Sequence, residues 1–143
     1  MTTNTNQISS PSPRTRAGFS MVELAIVVGI IVIMAAIIVP IYSSNVSKAR
    51  MSEADAHLGS IRTQLRIYYG QNSEYPKAPT GAMVVGAIWN DINNGELNGK
   101  YFVDSSYTYV SAEGIDFTIT CETESLLDSD RTINESGILA GGE

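Results

Sequence analysis

Two hydrophobic patterns follow one another in the first half of the chain. Residues 24–41 include no charged or polar side chain. As a helix rising about 1.5 Å per residue they span roughly 27 Å, close to the roughly 30 Å hydrocarbon core of a membrane. Further on, apolar residues recur every three or four positions, the period of an amphipathic helix: Met51, Ala54, Leu58, Ile61, Leu65 and Tyr68. We predict one helix over residues 19–69, ended by the stop signal Gly70-Gln71-Asn72-Ser73.

The C-terminal half changes to a period of two. Apolar residues alternate with polar ones at Ile115, Phe117, Ile119 and Cys121, which predicts a half-buried strand with Cys121 pointing inward. Residues 106–111 predict a second strand, joined to the first by a three-residue turn at Ala112-Glu113-Gly114, and residues 100–103 predict a third. The expected fold class is α+β, with a small antiparallel sheet covering the apolar stripe of the long helix.

The segment between helix and sheet is less regular. The prolines within residues 73–79 indicate a loop. A short helix is predicted next, with one apolar face: Met83, Val84, Ala87, Ile88 and Ile92. We expect Trp89, the one tryptophan in the chain, to be a packing residue rather than a ligand-binding one.

The N-terminal segment is unlike an ordinary secretory signal. Residues 1–18 are rich in Ser, Thr, Asn and Pro, carry Arg14 and Arg16, and contain no apolar run. A secretory signal has its apolar stretch before a small-residue cleavage site and loses that stretch on maturation. Here the apolar stretch follows the basic leader, so a cut near Gly18 retains it.

Charge and composition exclude several functions. With 143 residues there is room for one domain. Residues 19–143 hold seven basic and fifteen acidic residues, a net charge of −8, so no direct nucleic-acid site is predicted. One cysteine cannot form an internal disulfide. His57 is the single histidine, and Asp128, Asp130 and Glu135 match no calcium loop, so no catalytic residue, metal site or cofactor is predicted.

One stretch resembles a known family. Arg16-Ala17-Gly18-Phe19-Ser20-Met21-Val22-Glu23-Leu24, with an aliphatic run ending at Pro40, resembles the cleavage and methylation motif of type IV prepilins and type II secretion pseudopilins. It departs from the motif in Ala17, which separates the basic residue from the glycine. The resemblance implies a pilin-like fold with a leader at 1–18, a transmembrane and filament-core helix at 19–42 and a head at 43–143.

The resemblance also implies roles for individual residues. Prepilin peptidase is expected to cut between Gly18 and Phe19 and to methylate the new N-terminus at Phe19. Glu23, the fifth residue after the cut, is expected to pair with the α-amino group of a neighbouring subunit. The alternative is that Glu23 is only an acid favoured at a helix N-terminus. Pro40 is expected to be a helix kink that loosens on assembly.

The implied function is that of a filament subunit rather than an enzyme. Expected partners are copies of the chain itself, the prepilin peptidase, an inner-membrane platform protein and an assembly ATPase. The expected location is a single-pass inner membrane protein with a cytoplasmic leader and an outer head, then a periplasmic or extracellular filament. A type II secretion pseudopilin is the alternative within this class, and a monomeric membrane-tethered binding domain is the alternative outside it.

Overall fold

The computed structural model describes residues 18–142, so the predicted leader, apart from Gly18, lies outside the described residues. Helix α1 covers Met21–Asn72. Within this range five strands follow: β1 (Ala78–Met83), β2 (Tyr107–Ser111), β3 (Thr118–Cys121), β4 (Arg131–Asn134) and β5 (Leu139–Ala140), with a 3-10 turn at Asp104–Ser106. The predicted α+β class, one long helix with an antiparallel sheet, is confirmed.

The second half of α1 supplies one side of the hydrophobic core. Ala54, Leu58, Ile61 and Leu65 are fully buried, as their spacing predicts, and Met51 packs partly buried against the same core. The helix ends three residues later than expected. Ser73 stops it by adopting a left-handed backbone with φ of 62°, and its N–H still donates to the carbonyl of Tyr69 at 2.8 Å.

The sheet is a meander in which spatial order follows chain order, β1-β2-β3-β4-β5. All neighbouring strands are antiparallel. Tyr107 and Tyr109 of β2 face inward beside Ile119 and Cys121 of β3, and all four are fully buried. The inward orientation predicted for Cys121 is therefore confirmed, and the sheet side chains join those of α1 in one core.

The prediction for the β3 strand and the turn before it was only partly correct. The strand begins at Thr118, and Ile115 lies in the preceding turn with 76% of its surface exposed. The expected three-residue turn is wider, because β2 ends at Ser111 and β3 starts seven residues later. Gly114 has the predicted positive φ, at 75°, and a Cβ there would lie 2.9 Å from the carbonyl oxygen of Tyr75.

The region from 78 to 92 differs from the prediction. Residues Ala78–Met83 form β1 rather than the end of a loop. Pro79 is tolerated there because β1 is an edge strand whose register with β2 shifts between Ala78 and Ala82. The predicted short helix is wrong. Turns replace it around Gly86, whose φ is 79°, and Ile88, expected on a buried face, is fully exposed.

The strand predicted at residues 100–103 is also wrong, because this segment bonds to a side chain instead of a strand. Glu53 of α1 accepts hydrogen bonds from the backbone N–H groups of Lys100, Tyr101 and Phe102. Phe102 is buried as expected of an apolar residue there. The sequence patterns did not indicate β4 and β5, which supply the two C-terminal strands.

Candidate functional site

The first turn of α1 is closed by side chains of its own segment. Ser20 precedes the helix, and its hydroxyl accepts a hydrogen bond from the N–H of Val22 at 3.3 Å. The carboxylate of Glu23 accepts one from the N–H of Ser20 at 3.3 Å. This reciprocal arrangement is a capping box, in which two otherwise unpaired helix donors are satisfied. The pattern Ser-x-x-Glu signals it in the sequence, and the role of Ser20 was missed.

Glu23 is therefore held at the helix terminus by a local contact. It is the acidic residue of the first turn of α1, where the helix dipole favours a negative charge. It is also the one charged residue between Gly18 and Lys48. A carboxylate has about four lone-pair sites, and the cap uses one of them, so the group can still accept a proton donor from a second molecule.

The segment up to Val39 forms its own compact unit. Every residue from Gly18 to Val39 is exposed, including large aliphatic side chains such as Ile31, Val32 and Ile33. Within residues 18–142, α1 is the one helix long and apolar enough to cross a membrane, judged by length and composition. This apolar surface far exceeds the patches that soluble monomers normally expose.

Pro40, the residue expected to mark a kink, lies inside α1. It begins the second compact unit. Its carbonyl accepts a hydrogen bond from the hydroxyl of Ser43 at 3.0 Å. Proline lacks the N–H that would bond the preceding turn, so the backbone here depends on fewer intrahelical bonds than elsewhere in α1.

Within the second unit, charged side chains of α1 tie the loops to the helix. Glu53 accepts at 2.9 Å from Tyr101, 3.0 Å from Phe102 and 3.1 Å from Lys100. Burial tends to raise the pKa of this carboxyl, but the three backbone donors outweigh it and hold the pKa below its ordinary value. Sequence reasoning missed Glu53, because its partners lie 47 to 49 residues away.

Three arginines make similar long-range links. Arg50 donates to the carbonyl of Leu126 and Arg62 to that of Glu135. Arg131 of β4 donates to both carboxylate oxygens of Asp55, at 2.7 and 3.1 Å. Such bidentate pairs fix geometry as well as adding energy. Together with Glu53, these groups position the loops and β4 on the helix.

The histidine and the cysteine do not form a reactive site. The Nδ1 atom of His57 lies 2.7 Å from the hydroxyl of Tyr107 in a hydrogen bond. Burial raises the pKa of Tyr107 and raises that of Cys121 to about 11, so the thiol stays protonated at neutral pH and is a poor nucleophile. Among residues 18–142, no group of three or more His, Cys, Asp or Glu side chains could hold a metal ion.

Comparison with known proteins identifies several relatives. The chain is 34% identical to the fimbrial protein EcpC of Eikenella corrodens over 108 residues, 76% of this chain and 63% of that protein. It is 31% identical to the type IV major pilin protein PilE of Neisseria gonorrhoeae over 84 residues, 59% of this chain and 46% of that protein. It is also 31% identical to the type II secretion system core protein G of Dickeya chrysanthemi over 68 residues, 48% of this chain and 44% of that protein.

These matches confirm the resemblance seen in the N-terminal motif. The chain spans 44% to 63% of the length of the three relatives. No protein-family model matches it, and no solved structure matches it either.

Proposed function

Its relatives support the membership of this chain in the family of type IV pilins and type II secretion pseudopilins, and on that premise we propose that it is a structural subunit of a pilus-like filament. The observation that carries the proposal is the helix surface over residues 24–39, apolar on every side and exposed throughout. A surface of this kind needs an apolar environment. A membrane supplies it first, and the same surface of neighbouring subunits supplies it in the filament.

The N-terminus of the subunit arises by processing. Prepilin peptidase cuts between Gly18 and Phe19, and Phe19 becomes the methylated N-terminal residue. The exposure of this junction supports access by a peptidase, since Phe19 is 82% exposed and precedes the first residue of α1. Methylation keeps the positive charge of the amino group, so the new terminus remains able to pair with a carboxylate.

Glu23 provides that carboxylate in the neighbouring subunit. A lone charge at mid-bilayer costs about 2.5 to 3.5 kcal/mol on insertion scales, and an opposite charge offsets part of this cost. The capping box with Ser20 holds the carboxylate in place and leaves lone pairs for an ammonium donor. The pair fixes the axial register between subunits.

Pro40 marks the place where the helix bends or loosens as it leaves the membrane and enters the filament. The missing backbone donor lowers the cost of such a change. Before assembly the chain spans the inner membrane once, with its leader in the cytoplasm and its head outside. The prepilin peptidase, an inner-membrane platform protein and a cytoplasmic ATPase are the partners that processing and assembly require.

The first test is the intact mass of the protein purified from its own membranes and from sheared filaments. We expect a chain starting at N-methylated Phe19 in both fractions. An intact leader, or a cut after Ile41, contradicts the proposal and favours a membrane-tethered binding domain. Relatives named as pilus and secretion-system proteins favour the filament over that alternative.

Two variants separate the charge of Glu23 from its capping role. Glu23→Gln keeps an acceptor for the N–H of Ser20, as glutamine also serves in capping boxes, but removes the charge. Ser20→Ala removes the hydroxyl cap and keeps the charge. We expect Glu23→Gln to be processed and to remain in the membrane, while Ser20→Ala assembles. If Glu23→Gln assembles like the native chain, the carboxylate is a helix cap only.

A pseudopilus is the second candidate, favoured by the match to a type II secretion system core protein. Both assemblies need the same N-terminal segment. Deleting the gene and scoring surface filaments against secreted enzymes separates them. Loss of filaments with normal secretion supports a pilus, and loss of secretion supports a pseudopilus.

A further inference from the structure

A cleft of about 230 Å³ lies between the last turns of α1 and the turns that follow β1. We call it the helix–loop cleft. It is lined by Gln64, Ile67, Tyr68, Gln71, Asn72, Ile88, Trp89, Asn90 and Asp91. The helical members are spaced by three and four residues and so share one face of α1. All of these residues lie in the second compact unit, which begins at Pro40, and none lies in the apolar helix segment before it.

The loop wall of the cleft is held in place. The indole of Trp89 packs on the ring of Tyr109, with ring centroids 5.1 Å apart. The side chain of Asn90 donates to the carbonyl of Val84 and accepts from the N–H of Ile92, both at 2.9 Å. A wall fixed in this way loses little entropy when a ligand binds.

Four of the polar side chains that line the cleft are free to bind a ligand, whereas those of Asn72 and Asn90 already make hydrogen bonds within the head. Among residues 18–142, no hydrogen bond involves the side chains of Gln64, Gln71, Trp89 or Asp91. The two carboxamides each offer both donors and an acceptor, and the indole offers one donor. No lysine or arginine lines the cleft, and the chain is acidic. Phosphates and nucleic acids are therefore poor ligands here.

We propose that the helix–loop cleft binds a neutral saccharide through one sugar ring. A sugar has an apolar C–H face, which packs on aromatic rings such as Trp89 and Tyr68, and a rim of hydroxyls that both donate and accept. The two carboxamides and the carboxylate of Asp91 can bond to that rim. The volume is below the roughly 300 to 1,000 Å³ of drug-sized pockets, which limits the ligand to about one ring.

The test uses the tryptophan of the cleft as a reporter. Because Trp89 is the single tryptophan in the chain, its indole N–H gives one assignable NMR signal. The ¹⁵N-labelled full chain, in a detergent that contains no sugar, is titrated with glucose, galactose, N-acetylglucosamine or choline to about 50 mM, above a millimolar Kd. We expect a saturable shift with at least one sugar and none with choline.

Substitutions assign that shift to the cleft. Replacing both Gln64 and Gln71 with alanine removes two hydrogen-bonding groups and is expected to weaken binding about thirtyfold. Ser60→Ala, on an exposed part of the same helix outside the cleft, should leave binding unchanged. Asp91→Ala is an independent variant outside the helix and should also weaken it. The proposal is overturned if no sugar moves the signal, if choline alone moves it, or if the Gln64/Gln71 double variant and Asp91→Ala bind as tightly as the native chain.

Discussion

Replacing Glu53 with alanine should loosen the whole segment after residue 99. The carboxylate accepts three backbone hydrogen bonds, from Lys100, Tyr101 and Phe102. Hydrogen bonds to a charged group contribute about 1.5 to 3 kcal/mol each. Water can replace the hydrogen bond from exposed Lys100 and screens the part-exposed carboxylate. The three bonds together therefore contribute much less to the free energy of unfolding than the sum of their separate values. We expect a loss of about 2 to 3 kcal/mol in the free energy of unfolding.

Gly99 provides a second perturbation of the same contact. A Cβ at this position would lie 2.2 Å from one Glu53 carboxylate oxygen and 2.5 Å from the carboxyl carbon. Gly99→Ala must therefore displace the carboxylate and should destabilise by a similar amount. Once Glu53 is alanine the obstruction is gone, so Gly99→Ala should cost little more. The two substitutions are expected to be strongly non-additive.

The assay is urea unfolding of the full chain in micelles, followed by the fluorescence of Trp89. With a slope of about 2 kcal/mol per molar urea, the expected loss lowers the midpoint by about 1 to 1.5 M. Since the folded pKa of Glu53 is lowered from an ordinary value of 4.5, its contribution is complete above that value and is lost as the pH falls through the folded pKa. A midpoint shift under about 0.25 M at pH 7, or additive costs, would refute this account.

Three further predictions address other parts of the head. Asp55→Ala breaks the bidentate pair with Arg131 and should cost about 1 to 2 kcal/mol in urea unfolding; a cost equal to that of exposed Ser60→Ala contradicts it. Cys121 is fully buried and its pKa is raised to about 11, so its thiol should resist alkylation by iodoacetamide at pH 8 until urea unfolds the head. If the thiol reacts as fast in the native protein as in the unfolded protein, Cys121 is not protected by the core. Ile88→Ser should change the free energy of unfolding by less than about 0.5 kcal/mol, because the side chain is fully exposed; a larger loss means that Ile88 is packed.

The parts of the fold that sequence could predict are those with strong periodicity. The stripe from Ala54 to Leu65 is buried on one helix face, and the alternation from Phe117 to Cys121 forms most of β3. Both patterns are local and need no knowledge of distant neighbours. β4, by contrast, has one buried residue, Ile133, and the pairing with β3 on one side and β5 on the other defines it as a strand.

The wrong predictions for β1 and for residues 100–103 have a common cause, because both depend on where the backbone N–H groups find their hydrogen-bond partners. Pro79 and Gly81 disfavour a strand by propensity, yet the edge position of β1 requires fewer backbone donors. Residues 100–103 carry the apolar residues of a strand, but Glu53 takes up their N–H groups. At the start of α1, the motif indicated Glu23, whereas the capping role of Ser20 depends on the local geometry of the first helical turn.

The order of the strands has a consequence for how the head folds. Because β1 to β5 lie side by side in chain order, every strand pairing closes a loop between consecutive strands. Contacts between residues close in sequence lose little entropy on loop closure and are associated with fast folding. The hydrogen bonds from α1 to Leu126, Arg131 and Glu135 join residues 73 to 76 positions apart, so forming them loses more chain entropy than pairing the strands does. We therefore expect the sheet to form hairpin by hairpin and to dock on α1 last. Because the chain has one cysteine, no step of this folding route depends on forming or rearranging an internal disulfide.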